Sequence, residues 1–314
     1  MNAQPNLDFS LGRALNRRSF LRRSGLIAAL TPAAAFLLGG TDKLSADTLP
    51  FPVGSVELDI AILNFALNLE YLEGEYYTRG VTGGSLAENG INVAPTGAAG
   101  TVVTKAGSLA VPFKSTLLAE FAAEIAQDEQ NHIRFIQGVI ENLGGTPVSE
   151  PNLDLYNSFN TVSANAGIAP TFDPFADEVS FFLGGYSLTD VGVTAYVGAA
   201  PLLTNKAVLS GSAGILAVEA YHDSTLRLSI FNAGADAQVK AQKVSNLRDI
   251  LDDNNRHDRD QGVTNADGSP NIVPTNAFSL AFPRSTRKVL NIVYGATKAS
   301  QGGFFPNGLN GDIR

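Results

Sequence analysis

The chain has 314 residues, 44% of them hydrophobic and only 17% charged, with a formal net charge of −8. That length supports one large domain or two modest ones, each able to bury a core. Cysteine is absent, which excludes disulfides, iron–sulfur clusters, thiolate nucleophiles and cysteine-bound zinc. Any metal site must then use carboxylate and imidazole, donors that suit iron, manganese or zinc.

Residues 1–46 read as an export signal rather than as fold. Asn16-Arg17-Arg18-Ser19-Phe20-Leu21-Arg22 is close to the twin-arginine pattern, and Arg23 adds a further charge. An apolar stretch from Gly25 to Gly40 follows, then small residues ending in Leu44-Ser45-Ala46, a cleavage site. The competing reading is an uncleaved anchor, but the apolar stretch is short for a membrane span. Cleavage removes six basic and two acidic side chains and moves the net charge from −8 to −12. No basic run survives, so neither nucleic acid nor an anionic membrane is expected as a partner. No later segment is apolar for long enough to cross a bilayer. The expected location is the periplasm or the exterior, reached by a route that carries proteins already folded.

Periodicity predicts a first helix over 56–79, with Leu63, Ala66, Leu67, Glu70 and Tyr77 on one stripe. A Gly- and Thr-rich stretch over 80–112 breaks the pattern and is long for a bundle connection, so it is expected to carry a small hairpin or to cover a surface. The second helix, over 115–143, has Leu118, Phe121, Ala122, Ile125, Glu129, His132, Ile136 and Ile140 at three-to-four spacing. Gly144-Gly145 and Pro147 stop it. After an irregular stretch over 146–173, a third helix runs over 174–199. A fourth runs over 205–232, with Ile215, Glu219, His222, Leu226 and Ile230 aligned. A shorter helix follows over 237–251. Beyond 252 the chain is rich in Asn, Asp, Gly and Pro, with one short helical candidate near 284–294.

Two of the three histidines sit in one pattern, Glu129-Gln130-Asn131-His132 and Glu219-Ala220-Tyr221-His222. A Glu and a His three apart on a helix project from one face. Here both pairs, and Glu70 on the first helix, lie on apolar stripes, where an unpaired carboxylate costs several kcal/mol or stays protonated. A single such motif on a helix is ordinarily solvated. Two on separate amphipathic helices, with a third buried carboxylate, predict a metal centre of the kind built in helix bundles. Glu120, Glu124 and Asp128 fall toward the polar side of the second helix and are expected to be solvated. Glu73 and Glu75 read either way from the pattern: Glu73 shares the face of Glu70 and could act as an acceptor behind it, whereas Glu75 is expected to face water. His257 lies in a polar loop and reads as a surface residue.

Several stretches resemble the ferritin-like domain proteins that include the desiccation-related proteins of plants and bacteria. Leu63-Asn64-Phe65-Ala66-Leu67-Asn68-Leu69-Glu70-Tyr71-Leu72-Glu73 is similar to the first helix of that group. The run from Glu129 to Gly145 is similar to the second, and Asp190-Val191-Gly192-Val193-Thr194-Ala195-Tyr196-Val197-Gly198-Ala199-Ala200-Pro201 to the third. Gly302-Gly303-Phe304-Phe305-Pro306-Asn307-Gly308-Leu309-Asn310-Gly311 is similar to its ending. The resemblance implies an all-α, ferritin-like four-helix bundle over 47–251 with long loops. A largely irregular C-terminal extension over 252–314 would pack on it.

It also implies metal ligands at Glu70, Glu129, His132, Glu219 and His222, with Tyr77 beside them. The third helix departs from the pattern: Thr189 stands where a Glu is expected, and the adjacent Asp190 is the candidate sixth ligand, able to ligate after a small helix rotation, to ligate through water or simply to hydrogen-bond. The implied cofactor is iron or manganese, two ions or one. The implied function is handling of O₂, peroxide or ferrous iron in stress protection, as a ferroxidase or a peroxide-dismutating enzyme. The alternative is a non-catalytic structural or desiccation-protective protein of the envelope with a degenerate site. Homo-oligomerisation is left open. An Asp190 side chain turned away from Glu70 and Glu219 would favour the alternative.

Overall fold

Four long helices carry the architecture, and each begins on a residue chosen for its side chain. Ser55 opens α1 (Val56–Thr82), accepting from the Leu58 amide, and Ser115 opens α2 (Thr116–Asn142), accepting from Leu118. Asp177 opens α4 (Glu178–Ala199), and Asn205 opens α5 (Lys206–Asn232). Such caps satisfy amides that have no partner inside the helix. The computed structural model describes residues 49–252 and 259–314. The export segment expected over 1–46 and His257 lie outside the described residues.

Helix α1 packs along α2 and α4 along α5, and the pairs close through α1 against α4 and α2 against α5. This is the all-α bundle expected from the sequence. α1 is buried nearly all round, so its apolar positions exceed one stripe. The C-terminal segment docks on α1 and α4. Asn68 and Asn310 exchange two hydrogen bonds of 2.9 Å, and the Arg284 amide donates to the Thr194 carbonyl on α4. An eight-residue helix, α7 (Thr286–Val293), sits within that segment, close to the candidate near 284–294. Helix α6 (Ala235–Leu251) packs on α4 and α5. The described residues fall in one compact unit. Among the described residues no helix is long and apolar enough to cross a membrane.

Two loop details differ from expectation. The stretch after α1 forms no hairpin. Its short strand β1 (Val102–Val103) pairs in parallel with β2 (Leu153–Asp154), so the loop is pinned to the connection after α2. Inside the segment read as irregular lies α3 (Asn157–Asn165). Its sequence, rich in Asn, Ser and Thr, has poor helix propensity. The Asp154 carboxylate accepts from the Tyr156 and Asn157 amides at its start, and Phe159 anchors it in the core. Tertiary contacts supply what local preference lacks.

Candidate metal centre

At mid-height in the bundle, three helices direct charged side chains inward. Glu70 comes from α1, Glu129 and His132 from α2, and Glu219 and His222 from α5, all buried. Glu129 and Glu219 each turn one oxygen toward each histidine. His132 Nδ1 lies 3.6 Å from Glu129 Oε2 and 3.2 Å from Glu219 Oε1, while His222 Nδ1 lies 3.2 Å from Glu129 Oε1 and 4.0 Å from Glu219 Oε2. Glu70 Oε2 completes the His132 half at 3.3 Å. The imidazole centroids are 6.2 Å apart.

These donors fit a metal. Glu70, Glu129, His132 and Glu219 each offer one ligand atom, all within 4.8 Å of one another. Both oxygens of Glu129 and of Glu219, Glu70 Oε2, and both Nδ1 atoms are buried without an aligned hydrogen bond. Buried polar atoms are normally satisfied, so a cluster of orphans facing one another marks a place for a cation. The electrostatics agree. Burial pushes the Glu70 carboxyl up to about 8 despite the opposing pull of His132. Burial, then Glu129, raises Glu219. Burial also acts to raise Glu129, but the two imidazoles outweigh it and bring it to about 2. Burial disfavours charge on the imidazoles, yet the surrounding carboxylates prevail, raising His132 strongly and His222 to about 9. Protons on the imidazoles offset crowded negative charge here, and a divalent cation would do so through coordinate bonds.

Asp190 does not join them. Its Oδ2 pairs with Arg248, and with Arg227 at 3.2 Å, within a buried ionic network that also holds Asp260 and Arg284. One residue round the helix from 189 turns the side chain by about 100°, toward α5 and α6 instead of the bundle axis. The expectation that Asp190 is the sixth ligand is therefore corrected: it neutralises two buried guanidinium groups.

Residues 58–232 match the ferritin-like domain family. The chain belongs to that family. A desiccation-related protein of Craterostigma plantagineum is 33% identical over 271 residues, covering 81% of this chain and 83% of its own length. A ferritin-like catalase of Nesocodon mauritianus is 29% identical over 277 residues, covering 83% and 86%. No solved structure shows significant similarity to the chain.

Several residues of this ferritin-like site escape a reading by helical stripes. Asp128, expected in solvent, lies 3.1 Å from His222 Nε2. An Nε2–H donated to it leaves Nδ1 free to face the carboxylates. Tyr196 on α4 donates to Glu70 Oε1. Tyr77, expected beside the ligands, instead meets Thr189 at 2.8 Å. Glu75, expected in water, is buried, pairs with Arg79 and accepts from the Leu86 amide. What brings Asp128 and Tyr196 to the site is the relative rotation of packed helices, which one sequence does not specify. A cavity of about 260 Å³ between α2 and α5, lined by Glu124, Asp128, Tyr221 and His222, reaches the His222 side.

Proposed function

We infer that this ferritin-like chain holds two iron or manganese ions in the bundle and uses them on peroxide, with O₂ and ferrous iron as the related substrates. It would do so in stress protection, after twin-arginine export to the periplasm or beyond. The observation that carries this reading is the group of buried, orphaned donors from three helices. A relative named as a ferritin-like catalase supports peroxide as the substrate.

When bound, iron or manganese supplies the redox change. The chain's own groups do the rest. Glu129 and Glu219, each with one oxygen toward each histidine, would hold the metal together with Glu70, His132 and His222. Asp128 fixes the His222 tautomer, and Tyr196 orients Glu70. The cavity beside His222 is large enough for a small oxidant, while the close packing of buried α1 and α4 side chains keeps bulk water from the other side. Metal-loaded wild type is expected to release O₂ from hydrogen peroxide, and the Glu129→Ala, His222→Ala double variant to lose that activity. Equal rates in both would overturn the reading.

A second reading, a non-catalytic protective protein, is favoured by the ion pairs that occupy Asp190 and by the name of the desiccation-related relative. Against it stand the desolvated carboxylates, which a purely structural bundle has no reason to keep. Metal-loaded wild type that turns over neither peroxide nor ferrous iron would support this second reading.

A further inference from the structure

The donor set described above is lopsided. His132 has a terminal carboxylate of its own, Glu70, beside the two shared by both histidines. His222 has no counterpart from α4, because Asp190 is engaged elsewhere and position 189 is threonine. On that side, however, lies a buried carboxylate from α1. Glu73 is one helical turn beyond Glu70, and its Oε2 accepts a 2.7 Å hydrogen bond from the Thr189 hydroxyl. Thr189 spends its only proton on that bond, so Tyr77 must donate to Thr189, giving a directed chain that ends on Glu73.

The other Glu73 oxygen reaches the face of α4 where Gly192 has no side chain. A Cβ at Gly192 would stand 2.9 Å from Glu73 Oε1 and 3.9 Å from Glu219 Oε2. Glu219 Oε2 is the oxygen that faces His222. The glycine thus gives Glu73 its space, and the same added Cβ would lie in van der Waals contact with the Glu219 oxygen that faces His222. The same point of α4 offers no ligand of its own.

The geometry points to Glu73 as the terminal carboxylate for the His222-side ion, transferred from α4 to α1, held by Thr189 and admitted by Gly192. The ligand set then returns to four carboxylates and two imidazoles, with a Glu-x-x-Glu on α1 facing the two Glu-x-x-His motifs. This inference rests on the metal-binding reading and completes its second half.

The test is a titration of the metal-stripped full-length chain with manganese(II), reading the free ion by electron paramagnetic resonance. Wild type is expected to take up two ions. Glu73→Gln, which keeps size and removes charge, is expected to keep one at wild-type affinity and to bind the other at least about tenfold more weakly. Gly192→Ala, which crowds Glu73 Oε1 without touching a ligand covalently, should weaken the same ion and gives the answer if Glu73→Gln fails to fold. Transposing the carboxylate, Glu73→Ala with Thr189→Glu, should recover the second ion, a rescue that a merely structural role for Glu73 does not produce. Two ions at unchanged affinity in both Glu73→Gln and Gly192→Ala would overturn the inference while leaving the metal site intact. A wild type that binds no manganese would overturn both.

Discussion

Asp190 and Glu73 show how much turns on the rotation of one side chain. Both are buried carboxylates, yet one faces two guanidinium groups and the other accepts from the Thr189 hydroxyl beside Gly192. Replacing Asp190 by Ala leaves Arg227 and Arg248 buried and short of a partner. That is expected to cost about 3–5 kcal/mol in denaturant unfolding. Metal content per folded chain should stay at the wild-type value; a loss of metal would restore Asp190 as a ligand. Glu150 gives a separate test. Burial, then the neighbouring Glu75, pushes its carboxyl up from 4.5 to about 9. Below 4.5 both folded and unfolded chains hold that proton, so its stabilisation is fully present. As pH rises toward about 9 the unfolded chain releases the proton while the folded chain retains it, and stability falls. In metal-free protein, Glu150→Gln should remove this loss. Its melting temperature should exceed that of wild type by a margin that widens from acid to pH 9, at roughly 2–4 °C per kcal/mol. A margin independent of pH would contradict the assignment.

Among the elements, the four long helices were legible because their signals are local. A capping side chain, a run at three-to-four spacing and a terminating glycine each act within one or two turns. Glu70, Glu129, His132, Glu219 and His222 were legible for the same reason, as charges on apolar stripes. What stayed hidden depends on neighbours far along the chain. α3 exists because Asp154 and Phe159 are fixed by other segments, and the β1–β2 pair joins loops about fifty residues apart. Asp128 and Tyr196 reach the site only once α2, α4 and α5 have chosen their rotations. The docking of the C-terminal segment on α4 is similarly remote. There, Gly198 lets the backbone at Arg284 approach so closely that an added Cβ would overlap the Arg284 carbonyl. Gly198→Ala is expected to destabilise by about 1–3 kcal/mol through overpacking. It should also speed hydrogen exchange at the Arg284 amide, which donates to Thr194. Unchanged exchange there would show that the segment is held elsewhere.

At the scale of the molecule, the bundle brings several acidic groups and two raised imidazoles into one desolvated centre, so the proposed metal uptake would be coupled to protons and to stability. His132 and His222 both hold protons at neutral pH in the metal-free chain, His222 up to about 9. Manganese(II) binding must displace them, so calorimetry in buffers of different ionisation enthalpy should register proton release at pH 7. Affinity should strengthen as pH rises toward 9. Saturating metal should also raise the melting temperature, each ion adding about 2.7 kcal/mol when present at a hundred times its dissociation constant. The most direct measurement is elemental analysis of the purified full-length chain beside its Glu129→Ala, His222→Ala double variant. About two iron or manganese ions per chain are expected in wild type and almost none in the variant. Equal, near-zero metal in both would contradict the existence of the centre.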